Sequence, residues 1–123
     1  MNKISFIQNM SLEERLEKSN TLQSKYPHRV PVIVYTQDKR IDLNKTKYIV
    51  PYDLTIGQFI QTLRRYLKNS IEPNEALFIF CVNEETPGGI IPPTSAYMSV
   101  IYDQYRNQDN FLYMEISKEN TFG

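Results

Sequence analysis

The side chains best suited to catalysis are few, and their surroundings in the sequence favour other roles. His28, the only histidine, follows a proline and has no nucleophile at a recognisable spacing. Cys81 lies in the apolar run 76–82, which favours a buried and unreactive thiol. The pairs Glu13-Glu14 and Glu84-Glu85 are better explained as a helix cap and a solvated loop than as catalytic carboxylates. The sequence therefore does not predict an enzyme.

The sequence also lacks clear motifs for binding a cofactor or a metal. Gly88-Gly89 lacks the wider glycine spacing and the following lysine of a phosphate-binding loop, so it indicates a turn. A single cysteine excludes an internal disulfide and any multi-cysteine metal or iron–sulfur site. We therefore expect no cofactor and no metal.

The stretch 45–51 combines a short strand pattern with lysines before it and a proline at its end. Pro51 has no amide hydrogen and cannot continue a central ladder, so it predicts a strand with one open side. Lysines and a proline at such an edge protect against aggregation, which is one explanation of the pattern. The other is that an extended peptide adds itself here as a further strand, with pockets between nearby side chains selecting its residues.

Length and composition indicate one domain. The 123 residues, 41% of them hydrophobic, suit a single compact core. No apolar run approaches the roughly 18 residues of a membrane span, and the N-terminus lacks the long apolar region of a signal peptide. These features predict a soluble, cytosolic protein.

Charge is balanced overall but unevenly distributed. Residues 1–68 carry twelve Lys and Arg against six Asp and Glu, whereas residues 69–123 carry two against eight. A basic half could meet acidic peptide flanks, anionic lipid or a tubulin-like surface, or the opposite charges could simply be neighbours in the fold. No aromatic-rich basic strand motif accompanies the charge, so nucleic acid is not an expected partner.

Capping signals mark the starts of the helices. Ser11 with Glu14 predicts a surface helix from residue 12 to about 24, with a thin apolar face at Leu12, Leu16 and Leu22. Thr55 with Gln58 predicts the main core helix to about residue 69. Its inward positions are Ile56, Phe59, Ile60, Leu63 and Leu67, and Arg64, Arg65 and Lys68 lie on a solvated face. Thr94 or Ser95 caps a short helix to about residue 105.

Strand patterns occupy residues 29–35, 48–51, 76–82 and 111–117. The run 76–82 is almost continuously apolar, which predicts a strand buried on both faces at the centre of the sheet. The order helix, β, β, α, β, α, β predicts an α+β fold. It is the β-grasp (ubiquitin-like) arrangement, a mixed four-stranded sheet with two N-terminal helices added. We expect a helical arm over 1–26, the ubiquitin-like domain over 27–117 and a flexible tail over 118–123.

Motifs along nearly the whole chain resemble the autophagy ubiquitin-like modifiers of the GABARAP and light-chain-3 type. They are Lys25-Tyr26-Pro27 with residues 29–34, Lys47-Tyr48-Ile49-Val50-Pro51 with residues 53–59, Ile91-Pro92-Pro93-Thr94-Ser95-Ala96, and Phe111-Leu112-Tyr113 with Glu119-Asn120-Thr121-Phe122-Gly123. No single motif identifies the family, but the whole set in this order along the chain is specific for it.

The resemblance implies conjugation through Gly123. An E1-like enzyme would activate the terminal carboxylate, E2-like cysteines would carry it as a thioester, and phosphatidylethanolamine would receive it as an amide. Glycine suits this chemistry because a narrow enzyme channel can close around a carbonyl with no Cβ beside it. A processing and deconjugating cysteine protease is a further implied partner. The unconjugated protein would be a cytoplasmic monomer, and the lipidated form would be peripheral on the autophagosomal membrane.

The resemblance also implies docking of short cargo-receptor and adaptor peptides that carry an aromatic residue and, three positions on, an aliphatic one. The implied aromatic pocket consists of Leu22, Pro31, Lys47, Ile49 and Phe111. The implied aliphatic pocket consists of Tyr48, Val50, Pro51, Leu54 and Phe59. Arg29 and Lys45 would meet acidic residues that flank the motif. The alternative is a non-conjugated β-grasp module that binds peptides or an acidic, microtubule-like surface through its basic half.

Three features depart from the pattern of that family. Lys18 lies where many relatives carry a glutamate at the aromatic pocket, and Thr62 occupies a usually aliphatic position beside the second pocket. The loop 83–91 is longer than the family's usual turn. These departures bear on which peptides the protein prefers.

Overall fold

The first and last strands of the chain lie side by side at the centre of a four-stranded sheet. The computed structural model describes Ile7 and residues 9–118. In it, β1 (Arg29–Thr36) pairs antiparallel with β2 (Lys47–Pro51) and parallel with β4 (Leu112–Ser117), and β4 pairs antiparallel with β3 (Phe78–Val82). The sheet order is β2-β1-β4-β3. The predicted α+β, β-grasp architecture is therefore confirmed.

Three named helices cover the two faces of this sheet: α1 (Leu12–Lys25), α2 (Ile56–Tyr66) and α3 (Met98–Tyr105). Residues of α2 and α3 share one apolar core with β1, β3 and β4. On the opposite face, Leu22 of α1 packs against a smaller cluster that includes Ile33, Phe111 and Tyr113. The first of the two predicted N-terminal helices falls within residues 1–10, most of which lie outside the described residues.

Both predicted capping boxes are present. The Ser11 Oγ accepts from Glu14 N at 3.1 Å, and Glu14 Oε1 accepts from Ser11 N at 3.3 Å. At the start of α2, Thr55 Oγ1 accepts from Gln58 N at 3.1 Å, and Gln58 Oε1 accepts from Thr55 N at 2.9 Å. Each box satisfies backbone N–H groups that have no acceptor within the helix, which fixes where the helix begins.

The C-terminal end of α2 differs from the prediction. The helix ends at Tyr66 rather than near residue 69, because the chain turns back there. Arg64, predicted on a solvated face, binds that returning chain: its guanidinium donates to Glu75 O at 2.7 Å and to Glu72 O at 3.1 Å. The inward positions of α2 are confirmed as buried, apart from Ile60, which is half-buried.

The start of α3 also differs. Its N-cap is Tyr97, with no side-chain capping bond, and not Thr94 or Ser95. Thr94 and Ser95 instead lie in a turn that contacts the start of α2, where Gly57 N donates to Thr94 O at 2.9 Å. A Cβ on Gly57 would lie 3.3 Å from that oxygen, so the contact favours glycine.

The strand β3 lies at an edge of the sheet, so its predicted central position is wrong. Its apolar side chains are largely buried, as predicted. The long loop that follows β3 bonds to the outer side of this strand. Cys81 N donates to Ile90 O at 2.8 Å, and Ile90 N donates to Cys81 O at 2.9 Å. Asn83 holds the loop by accepting from Glu85 N at 3.0 Å and Thr86 N at 2.8 Å.

We predict that the Cys81 thiol of the folded protein resists alkylation. The side chain is fully buried, and burial raises the pKa of the thiol to about 12, so almost no thiolate forms near neutrality. Intact mass after incubation with iodoacetamide at about pH 8 checks this. The same reaction in guanidinium chloride is the control and should label the thiol fully; equal labelling rates in both conditions would contradict the buried placement.

Candidate functional site

The strand β2 forms the open edge of the sheet, because β1 pairs with it on one side only. One hydrogen bond shows which backbone groups of β2 point toward β1. Val34 N of β1 donates to Thr46 O, just before β2, at 2.7 Å, so these two residues form a bonded pair. Bonded and non-bonded pairs alternate in an antiparallel ladder, so Ile49, opposite Pro31, belongs to a non-bonded pair. Pro31 has no N–H to donate, which is consistent with a non-bonded pair at this position. The N–H and C=O of Ile49 therefore point away from β1.

The side chains of β2 alternate between the two faces of the sheet. Tyr48 and Val50 are 5% and 3% exposed and belong to the core beneath α2. Lys47 is exposed and Ile49 half-buried, and both lie on the other face, the one that α1 covers. The open edge thus separates two surfaces, each built from alternate residues of the same strand.

On the α1 side, a cavity of about 510 Å³ opens between the helix and the start of β4. Leu22, Lys47 and Phe111, three of the five residues of the implied aromatic pocket, line it. Ile49 and the buried Pro31 lie on the same face by alternation. The remaining lining residues are Met10, Glu14, Glu17, Lys18 and Thr21. Lys18 therefore lines this cavity together with two glutamates.

On the α2 side, four residues of the implied aliphatic pocket lie together. The rings of Tyr48 and Phe59 meet edge to face, with centroids 5.6 Å apart, and Phe59 is 1% exposed. Val50 is buried beside them, and Leu54 is half-buried against the same core. Pro51 ends β2, and alternation places it with Lys47 and Ile49 instead. The group forms a densely packed wall rather than an open cavity.

Two cations flank the open edge. Arg29 Nη1 donates to Ile49 O at 3.2 Å, so the guanidinium occupies an outward carbonyl of β2. Lys45 lies at the other end of the strand, with its Nζ 4.7 Å from the centroid of the Tyr48 ring and 5.1 Å from that of Tyr66. Both arginine and lysine are exposed, so both are accessible to an acidic partner.

The other two departures from the family pattern have different consequences. Thr62 Oγ1 donates to Gln58 O at 3.1 Å, so the hydroxyl is satisfied within its own helix. The loop 83–91 folds back on β3, at the sheet edge opposite β2. Its extra length is therefore remote from the open edge.

The groups first considered for catalysis are dispersed. His28 is exposed and meets the Tyr52 ring edge to face at 6.0 Å, while Cys81 is buried in the core. Within Ile7 and residues 9–118, no three His, Cys, Asp or Glu side chains group as metal ligands. In the same part of the chain, no helix is both long and apolar enough to cross a bilayer.

The residues that hold α1 in place were missed by the sequence reasoning. The buried residues of α1 are Arg15 and Ser19, whereas Leu12, Leu16 and Leu22, its predicted apolar face, are only half-buried. Asp109, which is 0% exposed, accepts from Arg15 Nη1 at 2.8 Å. The two residues are 94 positions apart, so no local pattern could reveal the pair.

Comparison with known proteins places this arrangement in a well-populated group. The family model described as "Autophagy protein Atg8 ubiquitin like" matches residues 14–123. Autophagy-related protein 8b of Arabidopsis thaliana is 46% identical over 100% of this chain and 96% of its own length. Autophagy-related protein 8 of Schizosaccharomyces pombe is 43% identical over 96% of this chain and 93% of its own.

A solved structure agrees with these sequence matches. The crystal structure of Trypanosoma brucei ATG8 superposes with a TM-score of 0.79 at 33% identity, covering 96% of this chain and 97% of that one. At this identity and coverage the likeness extends to the whole domain, including α1 and the open edge.

We predict that Phe59→Ala lowers the free energy of unfolding by about 3–5 kcal/mol, because it empties a fully buried aromatic site in the core. Chemical denaturation monitored by circular dichroism measures this. Val100→Ala, which trims a side chain that is 48% exposed, is the matched control and should cost less than about 0.5 kcal/mol. A Phe59→Ala protein as stable as the control would show that this side of β2 is not part of the core.

Proposed function

The chain belongs to the Atg8 family of ubiquitin-like autophagy modifiers, and from that membership we propose two linked activities for it. The first is conjugation of Gly123 to phosphatidylethanolamine. The second is recruitment of cargo receptors and adaptors by docking peptides with the aromatic-x-x-aliphatic spacing along β2. Together they tether cargo to the autophagosomal membrane.

The observation that carries the docking proposal is the position of the two side-chain groups on opposite faces of one open edge. In an extended strand, residues three positions apart point to opposite faces. A peptide strand added beside β2 therefore directs its aromatic residue to one face and its aliphatic residue to the other. A spacing of two or four would direct both to the same face.

The α1 side suits the aromatic residue. Its cavity of about 510 Å³ is within the range of pockets that enclose a ring, roughly 300–1,000 Å³. Leu22 and Phe111 supply apolar walls. The α2 side, with Tyr48, Val50 and Phe59 already packed, suits a smaller aliphatic side chain resting on a preformed surface.

Arg29 suits the acidic residues that flank such peptides. In the free protein its guanidinium donates to Ile49 O, the carbonyl that an added strand would use. An incoming peptide amide would replace that donor, and the released guanidinium would then be free to pair with a peptide carboxylate. Lys45 and Lys47 add positive charge along the same edge, which favours the rate of association.

Conjugation is supported by the family match, which extends to residue 123, and by the anchoring of the chain just after β4. Lys118 N donates to Asp38 Oδ2 at 3.2 Å, and Lys118 Nζ lies 3.3 Å from Glu75 Oε1. Residues 119–123 follow, a length that spans at most about 17 Å when fully extended. Gly123 itself lies outside the described residues. The enzymes involved are E1-like and E2-like, with a cysteine protease for processing and release.

The proposed modifier is cytoplasmic until it is lipidated and peripheral on the autophagosomal membrane afterwards. A non-conjugated module that binds peptides or an acidic, microtubule-like surface is the alternative. The two differ in one respect that is simple to test, since only the first requires a conjugated carboxylate at Gly123.

We predict that the protein gains the mass of one phosphatidylethanolamine less one water, the balance of amide formation, when incubated with its E1-like and E2-like enzymes, ATP and liposomes. We predict that Gly123→Ala gains no such mass. The added methyl group obstructs the channel that must close around the terminal carbonyl. Mass spectrometry measures the adduct, and Gly88→Ala, at a glycine with open space around it, is the control expected to conjugate normally. No adduct on the wild-type protein with enzymes active on another Atg8 protein would favour the non-conjugated alternative.

We predict that Ile49→Pro weakens binding of a labelled peptide, acidic residues followed by Trp-x-x-Leu, by at least about fivefold, because it removes one outward backbone donor. The N–H of Ile49 makes no bond to β1, so proline at this edge position leaves the β1–β2 ladder intact. Fluorescence anisotropy measures the affinity.

The matched control is Ile49→Val, which keeps both the amide and a branched side chain and should bind within about twofold of the wild-type protein. Thermal unfolding confirms that both variants are folded. A folded Ile49→Pro protein with wild-type affinity would mean that the peptide does not add to β2.

A further inference from the structure

The helix α1 lies against the domain through a mainly polar stripe. Arg15, Ser19, Leu22 and Gln23 occupy positions spaced by four, three and one residues, which places them on one face of the helix. Leu22 is the apolar member, and it is only half-buried. Gln23 Nε2 donates to the hydroxyl of Tyr102 at 2.8 Å. Hydrogen bonds and one ion pair therefore attach α1 alongside the apolar contact of Leu22.

These bonds converge on Asp109, which uses three oxygens. Its Oδ2 accepts from Arg15 Nη1 at 2.8 Å and from the hydroxyl of Tyr113 in a very short bond. Its Oδ1 accepts from Phe111 N at 3.0 Å, and its backbone oxygen accepts from Ser19 Oγ at 2.7 Å. Burial, and then the bond to Asp109, raise the pKa of Tyr113, so this hydroxyl stays protonated and donates.

The turn that carries Asp109 is itself held firmly. Asn107 N donates to Phe111 O at 2.9 Å, and Asn110 N donates to Asn107 O at 2.9 Å. Asn110 adopts a positive φ of 63°, a conformation that asparagine tolerates. Tyr102, already bound to Gln23 of α1, donates to Asn110 O at 2.6 Å. The turn and α1 are thus joined at two points.

Asp109 does not line the α1-side cavity, but it bonds to the two parts of the chain that form its walls. One wall is α1, with Lys18, Thr21 and Leu22, and the other includes Phe111. The carboxylate binds Arg15 of the first wall with one oxygen and the backbone of Phe111 in the second wall with the other. The side chain of Asp109 therefore links the two walls directly, in addition to the bonds that Ser19 and Gln23 make.

We propose that Asp109 is the positioning residue of the peptide-docking site, holding α1 and Phe111 at the separation that admits the aromatic residue of the peptide. The inference rests on the docking proposed above and deepens it. It concerns only the α1 side, because the α2 side is formed by apolar core residues to which α1 does not contribute.

Loss of the Asp109 carboxylate should affect the two pockets unequally, and this difference can be measured. Without the Asp109 carboxylate, Arg15 becomes a buried cation without its counter-charge, which favours detachment of α1. The Nε of Arg15 has no hydrogen-bond partner in the part of the chain that the structure describes, so Nη1 carries the compensation. Detachment would abolish the aromatic pocket and spare the aliphatic one.

The test compares two labelled peptides, acidic residues followed by Trp-x-x-Leu or by Ala-x-x-Leu, on the full-length wild-type protein and on Asp109→Asn. Asparagine keeps the size and the Oδ1 acceptor for Phe111 N but removes the charge. We expect a loss of about tenfold for the Trp peptide, within the usual range of energetic coupling between sites. The Ala peptide should lose less than about twofold, since it does not use the affected pocket.

The second variant is Arg15→Gln combined with Asp109→Asn. Removing both charges leaves no buried unpaired ion, and a neutral Gln–Asn hydrogen bond can replace the ion pair between the two walls. This pair should therefore fold and should recover most of the Trp-peptide affinity. Asp103→Asn, at an exposed carboxylate 3.8 Å from Arg106, is the matched control for the lost charge and should change neither affinity.

Equal losses for both peptides in Asp109→Asn, or no loss in either, would overturn the positioning role. If Asp109→Asn does not fold, the double variant decides: recovered discrimination between the peptides supports the role, and unrecovered discrimination overturns it. A wild-type protein that binds neither peptide would instead overturn the docking proposal itself, which keeps the two failures distinct.

Discussion

Parallel pairing of the first and last strands is the constraint on which the rest of the structure depends. Parallel neighbours cannot be joined by a tight turn, so the whole chain between β1 and β4 serves as the crossover. One side of β1 is occupied by β4, and β2, joined to β1 as a hairpin, takes the other side. The hairpin then has no neighbour beyond it. The open edge is therefore a product of the topology, and the short sequence of β2 supplies its chemistry.

Different interactions stabilise the two faces of that edge. Beneath α2, Tyr48 and Val50 belong to a large apolar core. The close packing of such a core does not rely on ion pairs and tolerates little change in side-chain volume. Beneath α1, the cavity is bounded by a helix attached through hydrogen bonds and a buried ion pair. Such contacts depend strongly on geometry and on the loss of a single partner. The docking site proposed at this edge would thus combine a rigid half with an adjustable half.

The parts of the fold that were predictable from the sequence are those with local causes. Capping boxes at Ser11 and Thr55 and the inward positions of α2 depend on residues three or four apart, and all were found except that Ile60 is only half-buried. The continuous apolar run of β3 indicated burial but could not indicate an edge, because a strand at the end of a sheet is also apolar when other parts of the chain cover both of its faces. Asp109 and Arg15 are joined only by the tertiary fold, so nothing near either residue signals the pair.

The closure of β3 by its own loop limits how these molecules can associate with one another. With Ile90 paired to Cys81, the far edge of the sheet carries chain of the same molecule, and in the described residues β2 is the edge left open. A sheet with one open edge can meet a second copy edge to edge about a two-fold axis, and further growth is then hindered because each outer edge is already bonded at Cys81 by its own chain. Fibril growth needs two open edges. Pairing of β3 with its own loop in this way hinders the sheets of neighbouring molecules from joining into longer assemblies.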